Sequence, residues 1–214
     1  MKRIEYSMLI GIIIAVCVSS VTGFGAQCEE IRSNMLRLHI LANSDSEDDQ
    51  NLKYRVRDAV LVQSAAMTGT ASITAAEKSI AGSLEEIEAI AQKEILDAGY
   101  DYSVKAKLVN MYFSTRQYEE ITVPAGRYDA VRIIIGEGKG ENWWCVMFPP
   151  MCVPAALEKE AGMLEEQIES LGTEPKYKAK FAVVEVIEAV KNKLSGESEE
   201  VIAEVSDDIP PEKT

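Results

Sequence analysis

Between Met35 and Ala42 the apolar residues Leu36, Leu38 and Ile40 alternate with Arg37 and His39, which predicts a half-buried strand with the arginine and histidine on its wet face. The strand runs into Asn43, Ser44, Asp45 and Ser46, side chains that cap helices, and then into Glu47, Asp48 and Asp49, where a helix dipole favours negative charge. A helix is therefore expected from that point to about Met67, burying Leu52, Val56 and Val60. Thr74 and Glu77 have capping-box spacing, and Ile80, Leu84, Ile87, Ala91 and Ile95 recur at three- and four-residue steps up to Gly99, predicting one continuous helix.

Val104, Ala106 and Leu108 alternate with Lys105 and Lys107, and the phase then slips at Val109, Met111 and Phe113, as a bulge in a second strand would require. After a Val123-Pro-Ala-Gly126 turn come a third strand, Tyr128 to Ile135, a glycine loop at 136–140 and a fourth strand, Asn142 to Phe148. Strands three and four are expected to pair as a hairpin. Leu157, Ala161, Leu164, Ile168 and Leu171 predict another helix, Lys176 to Phe181 alternates like a strand, and Val183, Val186, Ile187, Val190 and Leu194 return to helical spacing. The fold class implied is α+β, a hairpin-rich, mostly antiparallel sheet of about four strands packed with amphipathic helices.

The N-terminus has a different character. Lys2 and Arg3 precede the apolar stretch from Met8 to Val18, and no charge occurs between Tyr6 and Gln27. The layout fits a signal peptide with a small-residue site such as Gly23-Phe24-Gly25. It also fits an uncleaved anchor, since about 20 such residues can cross a bilayer. Either way the rest of the chain is expected outside the membrane of the producing cell, with Lys2 and Arg3 inside. The organisation expected is residues 1–27 as signal or anchor, 28–195 as an exported domain, and 196–214 as an acidic, disordered tail.

A net charge of -13 and a pI near 4.6 make nucleic acid and anionic lipid surfaces poor partners for the exported part, and favour a basic groove or cationic patch on a protein. Of four cysteines, Cys17 and Cys28 lie in or just after the apolar segment. Cys145 and Cys152, separated by six residues that include Pro149 and Pro150, have the wrong spacing for a CxxC redox pair and lack the second pair that zinc needs. They are either a local disulfide or two small buried hydrophobes.

Catalytic readings are poorly supplied. Ser/His or Cys/His chemistry would have to use His39, the sole histidine, which no nucleophile motif accompanies. The glycine loop lacks the spacing of a phosphate-binding Walker loop and reads as a flexible tip whose glycines permit positive φ. With 35 acidic residues, close carboxylate pairs arise by chance. No catalytic residue, metal ligand or cofactor is therefore assigned. Trp143 and Trp144 are adjacent on a strand, so one should fill the core and the other should face out, beside Phe148, Pro149 and Pro150. An exposed tryptophan there is the kind of residue that anchors protein interfaces.

Leu38-His-Ile-Leu-Ala-Asn-Ser-Asp45, Arg57-Asp-Ala-Val60, Pro124-Ala-Gly-Arg-Tyr-Asp-Ala-Val131 and the run from Gly138 through Asn142-Trp-Trp-Cys-Val-Met-Phe-Pro-Pro-Met-Cys152 resemble the stage II sporulation protein R family of endospore-forming Firmicutes. The resemblance spans most of residues 35–153 and extends to Lys180-Phe-Ala-Val-Val-Glu185. It implies a protein made in the forespore, exported into the space between the two septal membranes, and needed there to activate a membrane-embedded aspartic protease of the mother cell, which then removes the pro-sequence of sigma-E. Its own membrane would be a further partner if the N-terminal segment is kept. Trp143, Trp144, Phe148, Pro149 and Pro150, joined by Asn43, Ser44 and Asp45, are the expected receptor surface. The competing readings are a cell-wall hydrolase working with two carboxylates and a passive envelope-anchored structural protein.

Overall fold

A computed structural model describes residues 2–70, 72–118, 121–149, 175–196 and 200–205. They form two compact units. The first comprises residues 2–33, 113–118, 121–126 and 175–196, and the second residues 34–70, 72–112, 127–149 and 200–205.

The second unit is an α+β layer built on a five-stranded sheet in the order β6-β1-β5-β2-β7. Its strands are β1 (Leu36–Leu41), β2 (Val104–Phe113), β5 (Gly126–Ile135), β6 (Asn142–Phe148) and β7 (Glu200–Glu204). β1 runs parallel to β5 and antiparallel to β6, so the sheet is mixed, where mostly antiparallel pairing was expected. The expected hairpin does not form. β1 lies between β5 and β6, and the loop joining them has to arch over the end of β1 instead of turning back beside its own strand.

Helices α2 (Glu47–Thr68), α3 (Ile73–Ala81) and α4 (Leu84–Asp97) share a core with one face of this sheet. Leu52, Val56 and Val60 of α2 and Ile80, Leu84, Ile87, Ala91 and Ile95 of α3 and α4 pack there with Leu36, Leu38, Ile40, Val131 and Ile133. Ser46 caps α2, its hydroxyl accepting from the Asp49 amide. The helix expected from Thr74 to Gly99 is two helices, because Gly82 and Ser83 interrupt it, and the cap of α3 is Ser72. Gly99, with φ of +85°, follows the end of α4 in the left-handed conformation that glycine adopts without strain. The phase slip in β2 is present, as a register shift between Leu108 and Val109 against β7. That edge strand lies inside the stretch assigned to the acidic tail: Glu200–Glu204 pairs with β2 despite its charge.

The first unit holds α1 (Lys2–Ser33), α5 (Pro175–Ser195) and a two-stranded ribbon, β3 (Arg116–Tyr118) with β4 (Ile121–Val123). The strand expected at 176–181 is the first part of α5. Phe181 and Val184, one helical turn apart, are buried with Phe24 and Cys28, a 3.6-residue arrangement that outweighs the local alternation. Phe24 meets Phe181 edge to face at 5.0 Å. Arg32 is buried, and its Nη1 donates to the Ala125 carbonyl at 2.9 Å while Nη2 pairs with Glu29 and, at 3.7 Å, with Glu188. A Cβ on Gly126 would stand 2.4 Å from Arg32 Cδ, so this arginine needs glycine opposite it. Burial pushes the Cys28 thiol up to about 11, with Arg32 opposing and Glu188 and Glu29 adding to the rise, which makes it an unreactive thiol.

Among the described residues no helix is long and apolar enough to cross a membrane; the side chains at 17, 18, 20 and 21, in the middle of α1, lie outside them. The helix expected at 157–171 also lies outside the described residues.

Candidate functional site

The second unit concentrates its polar chemistry where β1 ends. As the central strand, β1 has a neighbour on each side, and its chain must turn into α2 beneath the arching loop at 136–141. Gly136 N donates to the Ser103 carbonyl, Lys139 N to the Asn43 carbonyl and Gly140 N to the Ala42 carbonyl. The Glu137 amide donates to Asn43 Oδ1 at 3.0 Å and the Glu141 amide to Asp45 Oδ1 at 2.7 Å. The glycines serve close approach as much as backbone freedom. A Cβ on Gly140 would fall 2.1 Å from the Ser44 carbonyl oxygen, and one on Gly136 would fall 2.3 Å from Asn43 Oδ1. This loop is a pinned crossover, where a flexible tip was expected.

Asn43, Ser44 and Asp45 therefore spend their polar groups within the fold. Asn43 Nδ2 and Ser44 Oγ both donate to Asp49 Oδ2, and Gln50 Nε2 donates to the Ser44 carbonyl. Burial pushes the Asp49 carboxyl up, but hydrogen bonds from Ser44, Asn43, Tyr102 and Ser46 more than offset it and hold the group below the usual carboxylate range. Lys53, buried on α2, donates to the Glu141 carbonyl at 3.0 Å and to Gln50 Oε1. Burial lowers its pKa, Glu141 and Asp45 draw it back up, and Arg57 lowers it.

The tryptophans divide between the faces of the sheet, as strand alternation demands. Trp143 is opposite Ile40 and turns toward α2, where Tyr54 meets it edge on at 5.4 Å and the Arg57 guanidinium lies 4.6 Å from its ring centre. Its indole Nε1 is buried without a hydrogen-bond partner among the described residues. Trp144 stacks on His39 with ring centres 4.0 Å apart and planes 7° from parallel. Neither tryptophan faces solvent freely: both are half-buried, because around β1 the second face of the sheet is covered as well as the first.

The same coverage corrects the expectation for β1. Arg37 is fully buried and His39 only 3% exposed, so their face is dry. Arg37 Nε donates to the Cys145 carbonyl, with the guanidinium 5.1 Å from the Tyr128 ring. His39 Nε2 and Asn142 Oδ1 are 2.8 Å apart. Burial drives the His39 pKa down to about 4, the Asn142 hydrogen bond opposing and neighbouring Arg132 adding to the fall. The ring is neutral near pH 7 and far from the range in which a general base works well.

Phe148 and Pro149 do not join this cluster. β6 runs from Asn142 beside Leu41 to Phe148 beside Leu36, a separation of about 20 Å at roughly 3.3 Å per residue. An extra residue in β6 at the Leu36/Arg37 register shift sets Phe148 opposite Leu36 and so against the helical core, and Pro149 is buried. The single surface proposed from sequence is therefore divided between two ends of one strand. Pro150 and Cys152 lie outside the described residues, whereas Cys145 is buried and is not a free thiol. Among the described residues no group of His, Cys, Asp and Glu converges as a metal ion would require.

The residues that the sequence did not assign to a site are Lys53, Tyr54 and Arg57, the last of which entered only through the family resemblance. The helical spacing of Tyr54 and Arg57 makes them neighbours on α2, but what they meet is set by the position of β6. Arg57 lies over both Tyr54 and Trp143 and pairs with Asp58, while Lys53 lies over the other contact ring, Tyr54. The arrangement is suited to gripping a partner: Trp, Tyr and Arg are the residue types that anchor protein interfaces.

This region is also where known proteins resemble the chain. Stage II sporulation protein R of Bacillus subtilis (strain 168) is 42% identical over 123 residues, which cover 57% of this chain and 55% of that relative. The chain thus spans about half the length of the curated relative it matches. No solved structure matches. The profile of the family described as stage II sporulation protein R matches residues 32–158, more than half of the chain and all of the strand-end cluster, so the chain belongs to the stage II sporulation protein R family and has a role in sporulation.

Proposed function

We propose that this chain is an exported signalling protein of sporulation that activates a membrane-embedded aspartic protease of the mother cell, which then processes the sigma-E precursor. The observation that carries the reading is family membership across residues 32–158. Two features of the strand-end cluster support a binding role. Its carboxylate and lysine, Asp49 and Lys53, are tied into internal hydrogen bonds, and His39 is neutral and stacked. Beside them, Tyr54, Arg57 and Trp143 form an aromatic and cationic patch, with Tyr54 37% exposed. We place the receptor contact on that patch, at the Trp143 end of β6.

The test replaces Arg57 by Ala in the sporulating cell and follows both the thermal midpoint and sigma-E precursor processing. Processing should fail while the midpoint moves little. If the whole gene can be deleted with processing intact, the activation role is wrong; if only Arg57→Ala is silent, the contact lies elsewhere. A Cys145 to Cys152 bridge belongs to the same reading of an exported protein. Closing so short a loop would stabilise by about 2 to 3 kcal/mol, and mass spectrometry finding both thiols free in the exported protein would remove it.

A further inference from the structure

Helix α5 has two apolar faces in opposite surroundings. Phe181 and Val184 are buried in a small core. Val183, Val186, Ile187, Val190 and Leu194 are all exposed, Leu194 to 81%. At about 100° per residue these five fall within an arc of about 100° whose middle is more than about 90° from Phe181 and Val184. Three- and four-residue steps of apolar side chains ordinarily mark the face a helix turns to its core. Here they form a stripe on the outside, about 17 Å long at roughly 1.5 Å per residue.

The charge of α5 also differs from that of the chain. Its sequence holds Lys176, Lys178, Lys180, Lys191 and Lys193 against Glu185 and Glu188, five lysines less two glutamates or +3, where the whole chain carries -13. Measured around the helix from Val183, Lys191 and Lys193 lie about 80° to either side, and Glu185 and Glu188 about 140° to 160° away. Charges more than about 10 Å off are largely screened at ordinary ionic strength, so a surface that touches the stripe meets these lysines before the acids elsewhere. Lys191 Nζ reaches Glu188 Oε1 at 2.8 Å, but the lysine end of the pair stands in solvent, and such a pair contributes little and yields readily to another anion.

An apolar stripe rimmed by lysines, with the acids on the far side, is the layout of a helix that lies in the plane of a membrane interface, its apolar side chains among the acyl chains and its ammonium groups level with the phosphates. Two other occupants fit less well. Protein interfaces are anchored by Trp, Tyr and Arg, whereas this stripe holds only Val, Ile and Leu. A second copy packed stripe to stripe would form a coiled coil, which needs about three to four heptads where residues 183–194 supply fewer than two, and it would set the lysine rims of the two copies against each other. We propose that the exposed face of α5 docks on a lipid surface carrying anionic headgroups. The contact uses nothing of α1 and nothing of the Trp143 patch, and it stands apart from the receptor reading.

The experiment follows maleimide labelling, resolved site by site by peptide mass spectrometry, in the full chain carrying Val190→Cys or, as reference, Ala189→Cys, an exposed position turned about 120° from Val183. Vesicles of phosphatidylcholine with phosphatidylglycerol should slow labelling at 190 severalfold and leave 189 unchanged, and vesicles of phosphatidylcholine alone should leave both unchanged. Because α1 is present in every sample, a lipid contact of its own cancels in the comparison. Lys191→Glu with Lys193→Glu should abolish the protection at 190 and, both side chains being exposed, leave the thermal midpoint in place. Equal labelling at 190 with and without anionic vesicles overturns the proposal, as does equal protection by both kinds of vesicle, or protection that survives the two lysine substitutions. Protection that needs no vesicles and grows with protein concentration gives the stripe to a second copy and overturns it too. None of these readouts passes through Arg57 or sigma-E precursor processing, so the lipid contact and the receptor contact fail separately.

Discussion

Around β1 the two faces of the five-stranded sheet are both dry and are kept so by different means. Toward α2, α3 and α4 the sheet presents Leu36, Leu38, Ile40, Val131 and Ile133, whose stabilisation comes from apolar area removed from water at about 25 cal/mol per Å². On the opposite face Arg37, His39 and Tyr128 are just as buried, yet burial there is unfavourable unless each polar group is hydrogen-bonded or uncharged. Arg37 is bonded to the Cys145 carbonyl and lies against Tyr128, and His39 is held neutral. One strand supplies both faces by alternation. The comparison teaches that equal burial implies different sensitivities: the first face should respond to lost volume and the second to pH.

The largest effect is expected from Leu38→Ala, which empties a fully buried site on the apolar face and should cost about 3 to 5 kcal/mol in urea unfolding. The loss should be the same at pH 7.5 and pH 5. A loss that grows with acid would mean that the two faces are not energetically distinct.

Next comes His39 itself. Its folded pKa, about 4, lies below the ordinary 6.5, so between those values the unfolded chain binds the proton more readily than the folded one. Its contribution is complete above about pH 6.5, drains as pH falls toward 4, and is flat below that. The loss could reach about 3 kcal/mol, at roughly 1.4 kcal/mol per pKa unit. His39→Gln should remove that part of the pH slope. Parallel stability curves for the two proteins from pH 7.5 to 4.5 would refute it.

Trp144→Ala should cost less, about 2 kcal/mol for a half-buried ring, and should also uncover His39. The histidine pKa followed by NMR should then rise toward 6.5, since burial is the largest cause of its depression; an unmoved pKa would mean that something other than the indole excludes water there. The smallest effect is expected from Arg57→Ala, about 1 kcal/mol from a partly exposed cation over an aromatic ring. It should change Trp143 fluorescence and leave the His39 titration unchanged, because the two tryptophans belong to opposite faces. A shift in the His39 titration would show the faces to be coupled.

Much of this was legible along the chain. The alternation of Leu36, Leu38 and Ile40 placed β1, the caps before Glu47 placed α2, Gly99 ended α4, and the slip at Val109 marked the shift in β2. The adjacent tryptophans had to point in opposite directions. These are local properties, set by side-chain period, capping chemistry and backbone sterics, and they need no knowledge of distant residues.

What the pattern left open depended on which segment lies beside which. Alternation of Leu38 with His39 is the same for a half-exposed strand as for a central one with both faces covered, so burial of Arg37 and His39 followed from the position of β1 between β5 and β6. A glycine-rich loop between two strands reads as a hairpin unless another strand separates them, and the steric need for Gly136 and Gly140 comes from Asn43 and Ser44, some 90 residues away in sequence. Lys176 to Phe181 alternates, but Phe181 and Val184 find Phe24 and Cys28 only as a helix. The residues of the chain fixed its local conformations and its sites of turning. Strand order, the dryness of the second face and the meeting of Trp143 with Arg57 came from packing, because contacts between segments far apart in sequence have no period that a short window can contain.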